Sequence, residues 1–257
     1  MRGTRRQWLA GLATAASGLV LSACDRLTQN ASVQNGLADA EGLTRRAQRL
    51  LVDRKALAKE FPESQISKDF RPNGSISPGD PEYRTLVDGG FADWRLVIDG
   101  LVERPISLSL DELRREPART QVTRHDCVEG WSAIGKWSGA RLGALLDKVG
   151  MKPDARYVVF HCADTLDPNA PEGLGRYYES IDLIDAYHPQ TILAYDMNDA
   201  PLPVAHGAPL RLRVERQLGY KHAKYVMRIE AVADLAGIAG GKGGFWEDRG
   251  YEWYAGI

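Results

Sequence analysis

A chain of 257 residues, 44% hydrophobic and 26% charged, is long enough for one substantial domain with an appended segment. Its formal net charge of -1 argues against a general nucleic-acid binder, which needs a basic excess. Three cysteines are too few to staple a small secreted fold, so a packed core must carry stability.

The first segment is Thr4-Arg5-Arg6-Gln7-Trp8-Leu9, followed by a weakly apolar stretch from Leu9 to Ala23. Paired arginines ahead of a stretch too short to span a membrane read as a twin-arginine signal peptide over residues 1–23. Leu21-Ser22-Ala23-Cys24 has the form of a bacterial lipobox, and cleavage there would lipidate Cys24 and tether the chain. The expectation is a bacterial periplasmic protein, exported already folded by a route that suits enzymes loaded with a complex cofactor, and held by a lipid anchor. Residues 24–80 read as a tether and an amphipathic helix. Leu43, Ala47, Leu50, Leu57 and Phe61 recur near helical spacing between Leu37 and Phe61, and Pro62 ends the run. Asn73-Gly74 and Pro78-Gly79 are turn signals.

Residues 81–257 read as one α+β domain with mixed sheets. Trp94 to Ile98 predicts a strand stopped by Asp99-Gly100, and Ser109-Leu110-Asp111-Glu112 has capping-box spacing for a short helix. Thr120 to Arg124 predicts a strand leading into His125-Asp126-Cys127. Ser138 is placed to cap a helix through Val149, with Gly150 just past its end. Tyr157 to Phe160 is a buried-strand run. Leu210, Leu212 and Val214 alternate with Arg211, Arg213 and Glu215, the pattern of a half-buried strand. The tail from Gly240 to Ile257 is rich in glycine and aromatics. Phe245, Trp246, Tyr251, Trp253 and Tyr254 suit either a pinned terminus or a lid over a site.

Two stretches could carry chemistry. In Arg124-His125-Asp126-Cys127-Val128-Glu129-Gly130-Trp131, cationic and imidazole neighbours would favour a Cys127 thiolate, a soft ligand for transition metals including molybdenum. Locally the same residue could equally be a buried structural cysteine, a zinc ligand with His125, or half of a disulfide with Cys162. In His206-Gly207-Ala208-Pro209-Leu210-Arg211-Leu212-Arg213, the two arginines share one strand face, and Gly219-Tyr220-Lys221-His222-Ala223-Lys224 adds cations around a turn. Such a cluster suits a phosphate-bearing ligand, or else a solvated, salt-bridged sheet face.

Taken in order, His-Asp-Cys-Val-Glu-Gly-Trp and His-Gly-Ala-Pro-Leu-Arg with Gly-Tyr-Lys resemble the molybdopterin-binding domain of the sulfite oxidase superfamily, across roughly Trp94 to Glu230. The likeness is to bacterial exported members, relatives of the periplasmic methionine-sulfoxide reductase catalytic subunit. The resemblance implies a sulfite-oxidase-type fold and a Mo-molybdopterin cofactor whose metal is ligated by Cys127. It implies cofactor contacts at Asn73, Cys162, His206, Arg211, Lys221, His222, Ala223 and Lys224, with His125, Asp126 and Tyr220 lining the access pocket. It also implies oxygen-atom transfer on a small substrate, served by an external membrane haem protein or cytochrome. The rival readings are a non-catalytic lipoprotein with the same fold and a Cys127–Cys162 thiol protein. Sulfite oxidases proper carry arginines soon after the ligating cysteine. Val128 to Ser132 is neutral to acidic, which argues against sulfite. There is no Cys-x-x-Cys-His, hence no attached c-type haem.

Overall fold

The computed structural model describes residues 30–257, so the paired arginines and Cys24 lie outside the described residues. The chain divides into two compact units, Met1–Val52 and Asp53–Ile257. The first contains α1, Ala31–Leu51, which starts and ends earlier than its apolar spacing predicts. Leu43 and Leu50 are exposed on it. The helix stops because Asp53 offers the backbone a local alternative. Its carboxylate accepts from Lys55 N–H at 2.8 Å and its carbonyl from Ala56 N–H at 2.9 Å. No helix among the described residues is long and apolar enough to cross a membrane.

The second unit begins well before residue 81. Ala58 exchanges both backbone groups with the Gln190 side-chain amide at 2.7 and 3.0 Å. Glu60 bridges Thr123, and Phe61 N–H donates to Val122 O at 2.9 Å. The stretch expected to finish the amphipathic helix is instead an extended strap along a sheet. After it comes α2, Pro81–Asp88, with proline in its first turn and Asp80 accepting from Tyr83 N–H at 3.0 Å.

Next come β1 (Arg95–Gly100), β2 (Ile106–Ser109) and α3 (Leu110–Leu113), the last opened by the predicted capping box between Ser109 and Glu112. A hairpin of β3 (Ala118–Asp126) and β4 (Ser132–Arg141) leads into α4 (Leu142–Val149). Then follow β5 (Tyr157–Thr165), β6 (Arg176–Asp182), α5 (Leu183–Ala186), β7 (Ile192–Met197), β8 (Ala200–Pro201), β9 (Arg211–Arg213) and β10 (Val226–Val232). One sheet has the order β2-β1-β10-β5-β6, and only its β1–β10 pairing is parallel. The other runs β3-β4-β7-β8, with β9 also on β7. One core cluster joins the two sheets and α4 through Ile98, Phe160, Ile229, Leu193, Leu212 and Leu146.

Two local expectations fail for tertiary reasons. Ser138 does not cap a helix but sits in β4, its Oγ 2.7 Å from Thr120 Oγ across the ladder. Gly139 packs so tightly on β7 that a Cβ would lie 2.2 Å from Leu193 O, and the strand continues to Arg141 before α4 starts. Gly150 does end α4, with φ +71. Arg211, Arg213 and Glu215 do not form a solvated face either; all three are buried.

The Ser109 cap is half-buried, and its Glu112 also takes Arg95 at 3.2 Å. Ser109→Ala should lower stability by about 1 kcal/mol, read as a lower midpoint in denaturant with unchanged slope.

Candidate active site around Cys127

Cys127 sits at the tip of the β3–β4 hairpin. Its N–H donates to Trp131 O at 2.9 Å, and its carbonyl accepts from Gly130 N–H at 3.0 Å. Gly130 turns the chain with φ +86, a conformation that favours glycine. Cys127 lines a cleft of about 150 Å³ together with Asn73, Ser75, Asp164, Tyr220, His222 and Lys224. Burial, more than any neighbouring charge, pushes the Cys127 thiol up. The expected thiolate-favouring neighbours face elsewhere. Arg124 is spent on Asp126, and His125 is fully buried behind the cleft.

The chain then closes the site from behind. Segment 219–226 runs back along 207–212, joined by Leu212 N–H to Ala223 O at 2.8 Å and Val226 N–H to Leu210 O at 3.0 Å. Two glycines permit the close approach. A Cβ on Gly207, which has φ +110, would lie 2.9 Å from Lys224 Cβ, and one on Gly219 would lie 2.5 Å from His125 Nε2. The predicted sharing of one strand face by Arg211 and Arg213 is visible at Trp137, whose ring lies 4.9 and 4.4 Å from the two guanidinium carbons.

The electrostatics are unbalanced. Arg213 is neutralised by Glu215, Nε to Oε1 at 2.8 Å and Nη2 to Oε2 at 2.6 Å, with both side chains at 0% exposure. It also donates to His125 Nδ1 at 2.9 Å. Arg211, equally buried, reaches only the carbonyls of His206 at 3.1 Å and His222 at 3.5 Å, and its Nε has no partner. Burial and Arg213 together push its pKa down to about 9. Lys224 Nζ donates to the carbonyls of Asn73 at 2.6 Å, Ala205 at 3.1 Å and Ser75, with no carboxylate within ion-pair distance. Burial and Arg211 push it down to about 7. The nearby imidazoles stay neutral: burial holds His222 and His125 far below the ordinary range and, with Arg211, takes His206 to about 4.

Several buried polar atoms here have no partner: Arg211 Nε, His206 Nδ1, His222 Nδ1 and Asp164 Oδ1. His222 Nε2 faces Gln217 O at 3.0 Å and must donate to it, so its Nδ1 is a bare acceptor. Asp164 takes Ser75 Oγ on its other oxygen at 2.8 Å, and burial pushes its pKa up. An unbalanced pair of cations beside unmatched donors and acceptors is the signature of a site built for an anionic, polar ligand.

Cys127, Asn73, Tyr220, His222 and Lys224 therefore meet in one cleft, with His206, Arg211 and Ala223 directly behind it. Four expectations are redirected. Lys221 stands outside the cleft lining, fully buried between Glu179 and Glu247, 2.5 Å from each. Cys162 belongs to the hydrophobic core, its Sγ 3.8 Å from Phe160 O, and its place at the cleft is taken by Asp164 two residues on. Both described cysteines are free thiols, so Cys127 and Cys162 form no disulfide. Asp126 accepts from Ser132 Oγ at 2.5 Å and lines a separate pocket with Lys59, Phe61 and Ile257, and His125 accepts from Arg213. Among the described residues no cluster of three or more His, Cys, Asp or Glu could hold a metal ion, which leaves no zinc cage for Cys127 and His125. Sequence reasoning missed Asp164, Ser75 and Tyr177, and it named Trp246 and Tyr251 only as one of two readings of the tail. Only the tail aromatics had a signal, and it was ambiguous.

Residues 84–236 match the family described as oxidoreductase molybdopterin binding domain. The chain is 39% identical over 252 residues to a chain of Azospira oryzae named as a protein-methionine-sulfoxide reductase subunit, YedZ1, covering 98% of this chain and 87% of that one. It is 37% identical over 152 residues to the protein-methionine-sulfoxide reductase catalytic subunit MsrP of Xanthomonas campestris, covering 56% of this chain and 47% of that one, and equally so to that of Xanthomonas axonopodis. This chain thus spans about half the length of the MsrP relatives. In structure it is similar to the sulfane dehydrogenase SoxCD of Paracoccus pantotrophus, with a TM-score of 0.50 at 24% identity over 56% of this chain and 39% of that one, a likeness of fold alone.

Two variants separate the roles of the cations. Lys221→Met should destabilise the protein by about 3–5 kcal/mol by stranding two buried carboxylates. Arg211→Met should leave the cofactor-free protein at least as stable as wild type, since it removes a buried charge with no counter-ion, while abolishing uptake of an anionic ligand in calorimetry. Lys224 adds a pH signature. Its folded pKa of about 7 lies below the ordinary 10.5, so below pH 7 the cost of burying its charge counts in full and above 10.5 it vanishes. Through this group the stability of cofactor-free protein should rise across that window relative to Lys224→Met, measured by denaturant melts at each pH.

Proposed function

We propose, since this chain belongs to the oxidoreductase molybdopterin binding domain family, that it is a mononuclear molybdenum enzyme reducing sulfoxides with Cys127 as the metal ligand. The chain is a molybdopterin-dependent oxidoreductase with a sulfite-oxidase-type fold. The substrate, the reaction direction and the residue roles are our reading.

The residues present fit the cofactor. A pterin with a phosphate needs a buried cation, and Arg211 is a fully buried guanidinium with an orphaned Nε and no carboxylate. That single observation carries the assignment. Lys224 stands beside it, and the heterocycle's donor and acceptor atoms would find Asp164 Oδ1 and His222 Nδ1, both unmatched. The one cysteine in the cleft, Cys127, offers the soft sulfur donor that molybdenum favours.

When bound, the group would supply two-electron oxygen-atom chemistry. The chain's own residues bind and orient. Arg211 and Lys224 hold the phosphate end, and the Cys127 hairpin fixes the thiol at the cleft floor. Tyr220 and Tyr177 wall off bulk water, and the Tyr220 hydroxyl is itself held by Glu252 O at 2.6 Å. In the overall reaction the S–O bond breaks, the oxygen leaves as water with two protons, and two electrons enter from outside. Two observations support an external donor: the relatives are named as subunits, and the sequence holds no haem-attachment motif. A membrane haem protein or a cytochrome meets the need. A sulfoxide is preferred to sulfite because Glu129, next but one to Cys127, lines the cleft where a sulfite site would need cations.

Export by the twin-arginine route, a periplasmic location and lipid anchoring at Cys24 complete the proposal. They rest on Arg5-Arg6 and on Leu21 to Cys24. Residues 1–23 as signal, 24–52 as tether and helix, and 53–257 as catalytic domain are the corresponding organisation. The mass of mature protein from membranes tests it: a chain beginning at an acylated Cys24 is expected, and an intact Met1 would overturn it.

Elemental analysis and turnover test the enzyme. Purified holoprotein should carry about one molybdenum per chain and reduce methionine sulfoxide with a reduced dye donor. Cys127→Ser should lose the metal or its turnover by at least about a thousandfold while remaining folded. A metal-free protein made in a molybdenum-replete host would overturn the reading.

A further inference from the structure

The tail presents aromatic rings to the cleft as well as to the core. Phe245 and Trp253 are the pinned part. Phe245 N–H donates to Tyr178 O at 3.0 Å, and Trp253 Nε1 donates to Ser180 Oγ at 2.8 Å. Between them, Trp246 and Tyr251 line the same cleft as Cys127. Their rings stack at 5.3 Å with 30° between planes, and Tyr251 meets Tyr220 edge-on at 5.3 Å. The remaining lining is mixed, with Val128 and Leu166 apolar and Asn73, Ser75, Glu129, Asp164 and Lys224 polar or charged. Val128, next to Cys127, is 46% exposed and Tyr251 42%, and Leu166 lies between the core and the cleft.

The wall is held rigidly. Glu247, the neighbour of Trp246, opens the short turn Glu247–Arg249 and is buried against Lys221 at 2.5 Å, on the segment that carries Tyr220 and His222. The guanidinium of Arg249 lies 3.6 Å from the Phe245 ring centre and donates to Phe245 O at 3.0 Å. The Asp248 carboxylate takes the Tyr178 hydroxyl at 2.7 Å and the backbone N–H groups of Gly240 and Lys242 at 3.0 Å each. A tail held by buried charge on one side and by ring packing on the other presents Trp246 and Tyr251 as a fixed surface.

We propose that Trp246 and Tyr251 are specificity-determining residues, forming an aromatic wall that selects sulfoxides carrying an apolar arm over small, fully hydrated ones. The chemistry that fits is an alkyl or aryl arm packed on the ring faces, with the sulfur close to the ring edges, where thioether and aromatic groups attract each other. The polar S–O group then points toward the Cys127 side of the cleft. A methionine sulfoxide side chain has this shape, and an extended peptide bearing one could lie over the exposed Val128–Tyr251 rim. This inference rests on the reading of the cleft as a sulfoxide site.

The test uses molybdenum-loaded full-length protein with a reduced dye donor. It compares methyl p-tolyl sulfoxide with dimethyl sulfoxide in wild type, Trp246→Ala, Tyr251→Ala and Trp246→Phe. The ratio of kcat/KM for the aryl over the dimethyl substrate should fall by roughly tenfold or more in each alanine variant and be largely restored by phenylalanine. An unchanged ratio overturns the wall. Saturation-transfer NMR with methyl p-tolyl sulfide on the same preparations reads the wall without turnover: ring-proton saturation is expected in wild type and should be lost in Trp246→Ala. A wild type that reduces no sulfoxide overturns the functional reading rather than the wall. The sulfide experiment then decides the wall alone, supporting it if saturation depends on Trp246 and overturning it if it does not.

Discussion

Two buried guanidinium groups share one tryptophan face, and only one of them has a carboxylate. Arg211 and Arg213 lie under Trp137 at full burial, and Glu215 satisfies only Arg213. An unpaired charge in a protein interior costs several kcal/mol, so a fold that keeps one must gain its partner elsewhere. Everything around the pair is arranged to keep that demand in place. Carbonyls of His206 and His222 aim Arg211, Lys224 is fixed by three further carbonyls, and the nearby imidazoles are held neutral. Under the proposed reading, the phosphate of the cofactor is the missing counter-ion, and cofactor binding and domain stability are linked by that charge.

Geometry divides the remaining work among separate elements. The hairpin turn at Gly130 sets the height of Cys127, and Gly207 and Gly219 let two segments close to within van der Waals contact behind it. The buried Glu179–Lys221–Glu247 group then ties the tail from Gly240 to Ile257 to β6 and to the stretch that ends at Lys224. Lys221 and Lys224 are three residues apart in sequence and do opposite things, one locked between two carboxylates and the other left with carbonyls alone. Neighbouring positions on an irregular segment do not share a face, as they would at this spacing on a helix.

The sequence made the shared face of Arg211 and Arg213, the Ser109 capping box and the Gly150 stop legible, because each follows from local spacing, whereas Cys127 stood out only through the order of two separated motifs. The sequence was silent where long-range partners decide. The alternation around Arg211 and Glu215 has the form of a half-solvated strand, and only the packing of β3 and Trp137 over it makes both faces interior. Gln190 and Thr123, far along the chain, claim the segment from Ala58 to Phe61 that helical spacing assigned to α1. Ser138 was equally plausible as a cap until its hydroxyl met Thr120 across the ladder. Cys162 and Asp164 could not be told apart by position, since the β5 ladder slips after His161 and shifts which residue reaches the cleft.

The tail that walls the cleft also supplies half of the counter-charge for Lys221, and this bears on how such a site can diverge. Changing the segment wholesale to admit a new substrate would strip a buried cation of its carboxylate, and the chain would unfold before selection could act on catalysis. Trp246 and Tyr251 flank that carboxylate but take no part in its ion pairs. Point changes at these two positions are therefore the route by which substrate range can drift while the architecture stays intact.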